Sequence, residues 1–477
     1  MSYNQKINKQ LLLILSVLIT TISLPACSNE KQESDVIMED AFNENLSMEV
    51  VSETNVETLS MTDEKIANTS ISETAQDKET VDNGVTSIDT QDKKRDADYI
   101  VELPKWDERY IPDNEALSFV EDMGIIWSLG NTLESFDCDH LDDKMQYETG
   151  WGNPYVTKDL VQTVADVGFK TMRIPVSWHN HIDENLQIDK EWLDRVQEIV
   201  DWALAEDMYV IVNIHHDDGK EYVYTSYACV EQSQKYVKAI WSQISRRFAN
   251  YDERLIFEVL NEPRQKGVAN EWWIEKGTEL RKECIESLNQ INQTAVDTIR
   301  ENAGNNTSRY IMVPGYCASP NYALDDNFKL PQDSTDNRLL VSVHAYMPYN
   351  FALADDTDST VTDYFSMENG ASISEIHSFT AGLYDKYVSQ GIGVVIGEFG
   401  ARDRDGNIES RMEYVAYYTA RARYNGMTVG WWDNNIFEGN GQRFGLIDRS
   451  DNQVKYKGIL ANLLHYSKRE NLPVNES

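Results

Sequence analysis

The chain has 477 residues, 41% of them hydrophobic, and a formal net charge of −37 at pH 7. That acidity excludes nucleic acid as a partner, because phosphates require a basic footprint, and it suits a neutral substrate. The length allows one large domain with extensions, and the apolar share is enough for a substantial core.

Lys6 and Lys9 precede the apolar run LLLILSVLITTISL at residues 11–24, and LPAC at 24–27 ends on Cys27. A basic head, a short apolar core and a small-residue end form the export-signal pattern, here spanning 1–27. Leu-x-Ala-Cys resembles a bacterial lipobox. The resemblance implies cleavage before Cys27, lipidation of its thiol, and a lipoprotein exported to the outer face of the membrane; an ordinary signal peptide would instead release the protein outside the cell. Residues 28–100 hold 19 acidic and 6 basic side chains, and Phe42 and Tyr99 are their only aromatics. A segment so polar cannot bury enough apolar area to offset its ordering entropy, which predicts a disordered acidic linker.

From about 101 to 470 the pattern changes, and every tryptophan of the sequence stands at or after Trp106. Short apolar runs predict strands at 124–129, 169–176, 208–214, 255–260, 309–315, 339–346, 393–399 and 427–432. Between them lie amphipathic stretches such as 190–207, 231–250 and 409–425. Eight β–α units in one stretch predict a single (β/α)8 TIM barrel, and near-continuous apolar strands suit a parallel sheet covered on both faces. A doubly wound open sheet would want a glycine-rich phosphate turn after the first strand, and SLGNTLES has none. Cys138, Cys229, Cys284 and Cys317 are scattered without metal-ligand spacing, which reads as core thiols, with a disulfide as the alternative.

In such a barrel the C-terminal strand ends form the active face. Seven of the eight strands carry polar, titratable or aromatic groups there: Asn131, Arg173, His215 with His216, Asn261 with Glu262, His344 with Tyr346, Glu398, and Trp431 with Trp432. Any one of these could be structural. Seven on one rim are hard to explain as packing, since each must be paired or desolvated. Glu262 and Glu398, on strands four and seven, are expected to face each other across the axis. Two such carboxyls suit glycoside hydrolysis: a separation of ~5–5.5 Å implies retention and ~6.5–9.5 Å inversion. Their mutual repulsion is expected to keep one protonated near neutrality. Arg173 and Tyr346 can hold Glu398, Asn261 can reach a sugar hydroxyl, and a tryptophan of the pair can stack on a pyranose ring. A metal held by these carboxylates with His215, His216 and His344 is the rival use, but no HExxH pattern supports it. No cofactor is expected.

Taken together, SLGNTLES, ETGWGNP, FKTMRIPVSW, VIVNIHHDDG, IFEVLNEP, HAYMPYNF, VVIGEFGAR and GWWDNN resemble glycoside hydrolase family 5, over about residues 101–470. The resemblance implies Glu262 as acid/base and Glu398 as nucleophile, supported by Arg173, His215, Asn261, His344, Tyr346 and Trp432, with Asn131 and His216 on the glycone side. It further implies a monomeric endo-β-1,4-glucanase acting on β-glucan polysaccharide, touching a membrane only through its lipid anchor. Xyloglucanase, lichenase and β-mannanase are alternative activities on the same site, and a non-catalytic glycan-binding lipoprotein is an alternative of another class. MGIIWSLGNTL departs from the family's usual aromatic-rich start. Residues 349–372 form a long loop after strand six, either shaping a cleft or standing as a solvated insertion.

Overall fold

The structure is a computed structural model that describes residues 99–475. The export signal with Cys27, and nearly all of the acidic linker, lie outside the described residues. Eight parallel strands close into one barrel in sequence order: β1 (Ile126–Leu129), β2 (Thr171–Ile174), β3 (Tyr209–Asn213), β4 (Leu255–Glu258), β5 (Ile311–Pro314), β6 (Leu339–His344), β7 (Gly393–Phe399) and β8 (Thr428–Asp433). Each coincides with a predicted apolar run.

Helix α1 (Glu115–Asp122) precedes the barrel. Helices α2 (Lys158–Asp166), α3 (Lys190–Ala205), α4 (Val230–Arg247) and α5 (Glu279–Glu301) follow β1 to β4, and α6 (Gly370–Lys386), α7 (Ile408–Tyr424) and α8 (Lys457–Tyr466) follow β6 to β8. After β5 there is only the single turn Pro320–Ala323. Among the described residues no helix is long and apolar enough to cross a membrane.

Alternation along the strands sorts side chains into two layers. Trp127, Met172, Val210, Val212, Leu255 and Phe257 belong to the large core between barrel and helices. Ile126, Ile211, Ile256, Met312, Leu340 and Val395 form a second cluster inside the barrel. Ala116, Phe119 and Val120 of α1 join that cluster and plug its N-terminal end, with Phe119 stacked on Tyr310 at 3.5 Å. One inward step further along the strands the interior turns polar: Arg173, Asn213, Glu258, Ser342 and His344, all buried. The barrel is therefore apolar at its closed end and charged at its mouth.

The loop at 349–372 is not simply solvated, because Phe351 and Phe365 are fully buried, with their rings packed on Tyr414 of α7. Cys138, Cys229, Cys284 and Cys317 are free thiols, three of them buried.

Candidate active site

Arg173, wholly buried on β2, organises the mouth. Its Nε donates to Glu258 Oε2 at 2.8 Å, one terminal nitrogen donates to Glu398 Oε1 at 2.6 Å, and the other donates to Asn261 Oδ1 at 2.7 Å. This is the planar donor fork that lysine cannot reproduce. Tyr346 donates its hydroxyl to the other oxygen of Glu398 at 3.0 Å.

Glu398 reaches the interior through a break in strand regularity. Val395 points into the barrel, so strict alternation would turn residue 398 outward. The β7 register shifts against both neighbours, and His344 then pairs with Glu398 while Phe399 pairs with Trp431. A bulge of this kind re-aims a side chain. Gly397 makes room for it: a Cβ there would stand 3.2 Å from His344 Nε2 and 3.4 Å from Glu258 Oε1.

Glu262 sits four residues past the last ladder residue of β4, because the apolar run 255–260 outlasts the strand by two residues. Strands β4 and β7 are not diametrically opposed, contrary to expectation: β7 lies three strands away around the closed order, and β8 faces β4. The two glutamates meet obliquely, with His344 of β6 beside them. Donor atoms of Glu262, His344 and Glu398 all lie within 4.8 Å of one another. His344 Nδ1 is 3.0 Å from Glu262 Oε1 and 3.7 Å from Glu398 Oε1.

The proton inventory differs from the expectation that repulsion alone keeps a carboxyl protonated. Burial works against a charged His344, yet Glu398, Glu258 and Glu262 raise its pKa to about 9. Burial raises Glu262, but the His344 hydrogen bond and charge, with Arg264, hold it below the ordinary carboxyl value. The raised His344 and the lowered Glu262 face each other as one pair, Nδ1 to Oε1, at 3.0 Å. The same trio spans a distance a cation could bridge. Arg173 already donates to one of these oxygens, Glu398 Oε1, at 2.6 Å.

Of the other expected residues, His215 is buried parallel to the Trp432 ring at 5.9 Å, and burial followed by the charges of His216 and Arg173 keeps its pKa well below the ordinary value. Trp432 lies on the mouth side, so close to Gly130 that a Cβ there would stand 2.8 Å from its ring. Trp431 is wholly buried against Phe399 on the other face of β8. Asn131 and His216 are not brought into hydrogen-bonding contact with either glutamate. Asn131 is held in a left-handed conformation (φ 56) by the Glu134 carboxylate at its N–H, and Asn153 Nδ2 donates to its carbonyl at 2.9 Å. His216 packs against Phe136 and Trp151 on the rim.

Glu258 escaped the sequence reading. It is wholly buried and receives Arg173, Asn213 Nδ2 at 2.9 Å and Ser342 Oγ at 2.6 Å. Burial opposes its charge, but Arg173, His344 and Ser342 bring its pKa down to about 2. The signal was present: in LIFEVL a carboxylate stands two residues after inward Ile256, on the same face.

Residues 138–438 match the family Cellulase (glycosyl hydrolase family 5). Endoglucanase A of Clostridium longisporum is 39% identical over 70% of this chain and 62% of its own length, so the chain spans less than two thirds of that relative. Endoglucanase B of Neocallimastix patriciarum is 40% identical over 72% of this chain and 70% of its own. Among solved structures, a glycoside hydrolase 5 lichenase from Caldicellulosiruptor sp. F32, with cellotetraose, is 49% identical over 78% of this chain and 100% of its own, with a TM-score of 0.76. A GH5-4 broad specificity endoglucanase from Ruminococcus champanellensis with bound cellotriose is 36% identical over 75% of this chain and 100% of its own, at a TM-score of 0.68. A closed eight-stranded barrel with paired glutamates at its mouth, matched over this length, makes the chain a glycoside hydrolase of family 5.

Proposed function

We propose that the protein is a retaining endo-β-1,4-glucanase in which Glu398 attacks the anomeric carbon and Glu262 first protonates the leaving oxygen, then activates water. The observation that carries this reading is the approach of the two carboxylates to within 4.8 Å. That spacing suits direct attack by one of them and is shorter than the gap an inverting water needs. Arg173 and Tyr346 hold both oxygens of Glu398, which aims it at the anomeric carbon. Glu262 is the acid, with His344 3.0 Å from its Oε1 as the neighbour that exchanges its proton, and Trp432 offers a flat face to a sugar ring.

Mixed-linkage β-glucan is a second substrate of the same site, favoured by the 49% identity to a protein described as a lichenase. Export and lipidation at Cys27 belong to the same proposal and rest on the residues at 6–27.

The test is the rate of reducing-sugar release from barley β-glucan by Glu262→Gln and Glu398→Gln, with NMR of the first product anomer. The expected result is a β-anomer from the wild type, with a loss of about 10²–10⁴-fold for the acid variant and a larger loss for the nucleophile variant. Unchanged rates in either variant, or an α-anomer, would overturn the mechanism.

A further inference from the structure

We propose that Arg264 is a positioning residue for Glu262, fixing the backbone and the charge environment of the proton donor; this rests on the reading of Glu262 as acid/base. Glu262 stands past the named strand β4, one residue after Asn261, whose N–H is the last to reach a neighbouring strand, donating to the Ile214 carbonyl at 2.9 Å. Arg264 is 6% exposed, and its terminal nitrogen donates to the Glu262 carbonyl at 2.9 Å and to Asp218 Oδ2 at 3.0 Å. Its Nε donates to Glu271 Oε1 at 2.8 Å, and the guanidinium lies 4.1 Å from the centroid of the Trp272 ring. One side chain thus ties the Glu262 peptide to the segment after β3 and to the far arm of its own loop. From below, the turn after β5 locks the same loop: Cys317 N–H donates to the Pro263 carbonyl at 3.0 Å, and Gln265 N–H to the Tyr316 hydroxyl at 3.2 Å. Strand five, which showed no polar group at its end in the sequence, supplies this support.

The titratable groups facing Glu262 come from every side: His344 and Tyr346 at the end of β6, Glu398 from β7, His216 and Asp218 after β3, Arg264 in its own loop, and the Cys317 thiol after β5. Arg264 favours the ionised form of Glu262, whereas an ionised Asp218 disfavours it. Burial raises Asp218 to about 7 against the pull of Arg264, so this opposing charge switches on near neutrality.

The experiment compares kcat/KM of the full chain and of Arg264→Gln, Arg264→Lys and Asp218→Asn on phenyl and 2,4-dinitrophenyl β-cellobioside across pH. Phenol needs protonation to leave and dinitrophenol does not. Arg264→Gln is therefore expected to lose roughly 10- to 100-fold on the phenyl substrate, a part of the ~10²–10⁴-fold that general-acid assistance supplies, and little on the dinitrophenyl one. Its basic limb moves to higher pH, that of Asp218→Asn moves to lower pH, and Arg264→Lys recovers part of the limb but not the rate. Equal losses on both substrates, or limbs that do not separate, overturn the positioning role. Should Arg264→Gln fail to fold, Arg264→Lys decides: a loss confined to the phenyl substrate supports the role, and equal losses on both substrates overturn it. A Glu262→Gln control with unchanged phenyl cleavage would sink the acid/base reading instead.

Discussion

Two cations, Arg173 and His344, lie among three carboxyls, Glu258, Glu262 and Glu398, in a cluster almost closed to solvent. With both cations and all three carboxylates charged the cluster carries one net negative charge, and His344 Nδ1 stands 3.0 Å from Glu262 Oε1. Glu258 is the group on which the rest depends, since it fixes Arg173 from within the barrel. Removing one partner of a buried ion pair costs about 3–5 kcal/mol. Glu258→Gln is expected to lose that much in urea unfolding and to lower kcat with it, although Glu258 touches no substrate in the proposed mechanism. The stability profile has a defined window. Glu258, lowered from 4.5 to about 2, contributes fully above its unfolded value and loses that contribution as pH falls through its folded one. His344, raised from 6.5 to about 9, contributes fully below 6.5 and loses its contribution as pH rises through about 9. Unfolding free energy measured against pH should therefore plateau between these unfolded values and fall on both sides, and Glu258→Gln should flatten the acid flank.

At the scale of elements, strand parity divides residues that look alike in sequence. Trp431 and Trp432 are neighbours, yet the first is locked in the layer between barrel and helices with Nε1 donating to the Phe444 carbonyl at 3.0 Å, and the second faces the mouth at 8% exposure. Trp431→Ala is expected to cost about 3–5 kcal/mol of stability, as for a large buried aromatic, with KM little changed in what remains folded. Trp432→Ala is expected to raise KM for β-glucan with a smaller change in denaturation midpoint; the opposite pattern would reassign the platform. The bulge in β7 is the element-scale device for the nucleophile. Period-two reading of GVVIGEF places Val395 and Glu398 on opposite faces, so the sequence pattern alone argued against the inward glutamate that the register shift produces.

At the scale of the molecule, the barrel interior runs from the plug of α1 to a charged mouth, which confines the chemistry to one end. On the proposal that the segment before Tyr99 is a tether, deleting 28–98 should leave kcat on soluble β-glucan within about twofold, with Tyr99 and Ile100 kept because Asn462 Nδ2 donates to the Tyr99 carbonyl at 2.7 Å and Ile100 packs on the core, and Cys27→Ala should move the protein from the membrane fraction to the medium. A large loss of kcat, or unchanged fractionation, would refute the tether or the anchor respectively.

Local composition determined much of this protein. Eight apolar runs separated by amphipathic stretches left few ways to bury both faces of a sheet, and the polar residues ending those runs marked the rim. Glu262, Glu398, Arg173, His344 and Tyr346 were legible for that reason. Tertiary structure alone decided which groups share charge. Glu258 was hidden inside an apolar run, the side of β7 on which Glu398 emerges depended on a register shift, and the partner of Glu262 depended on His344 lying 3.0 Å away. Sequence spacing carries the periodicity of a strand. It does not carry the distances between strands, and in a buried site those distances set the electrostatics.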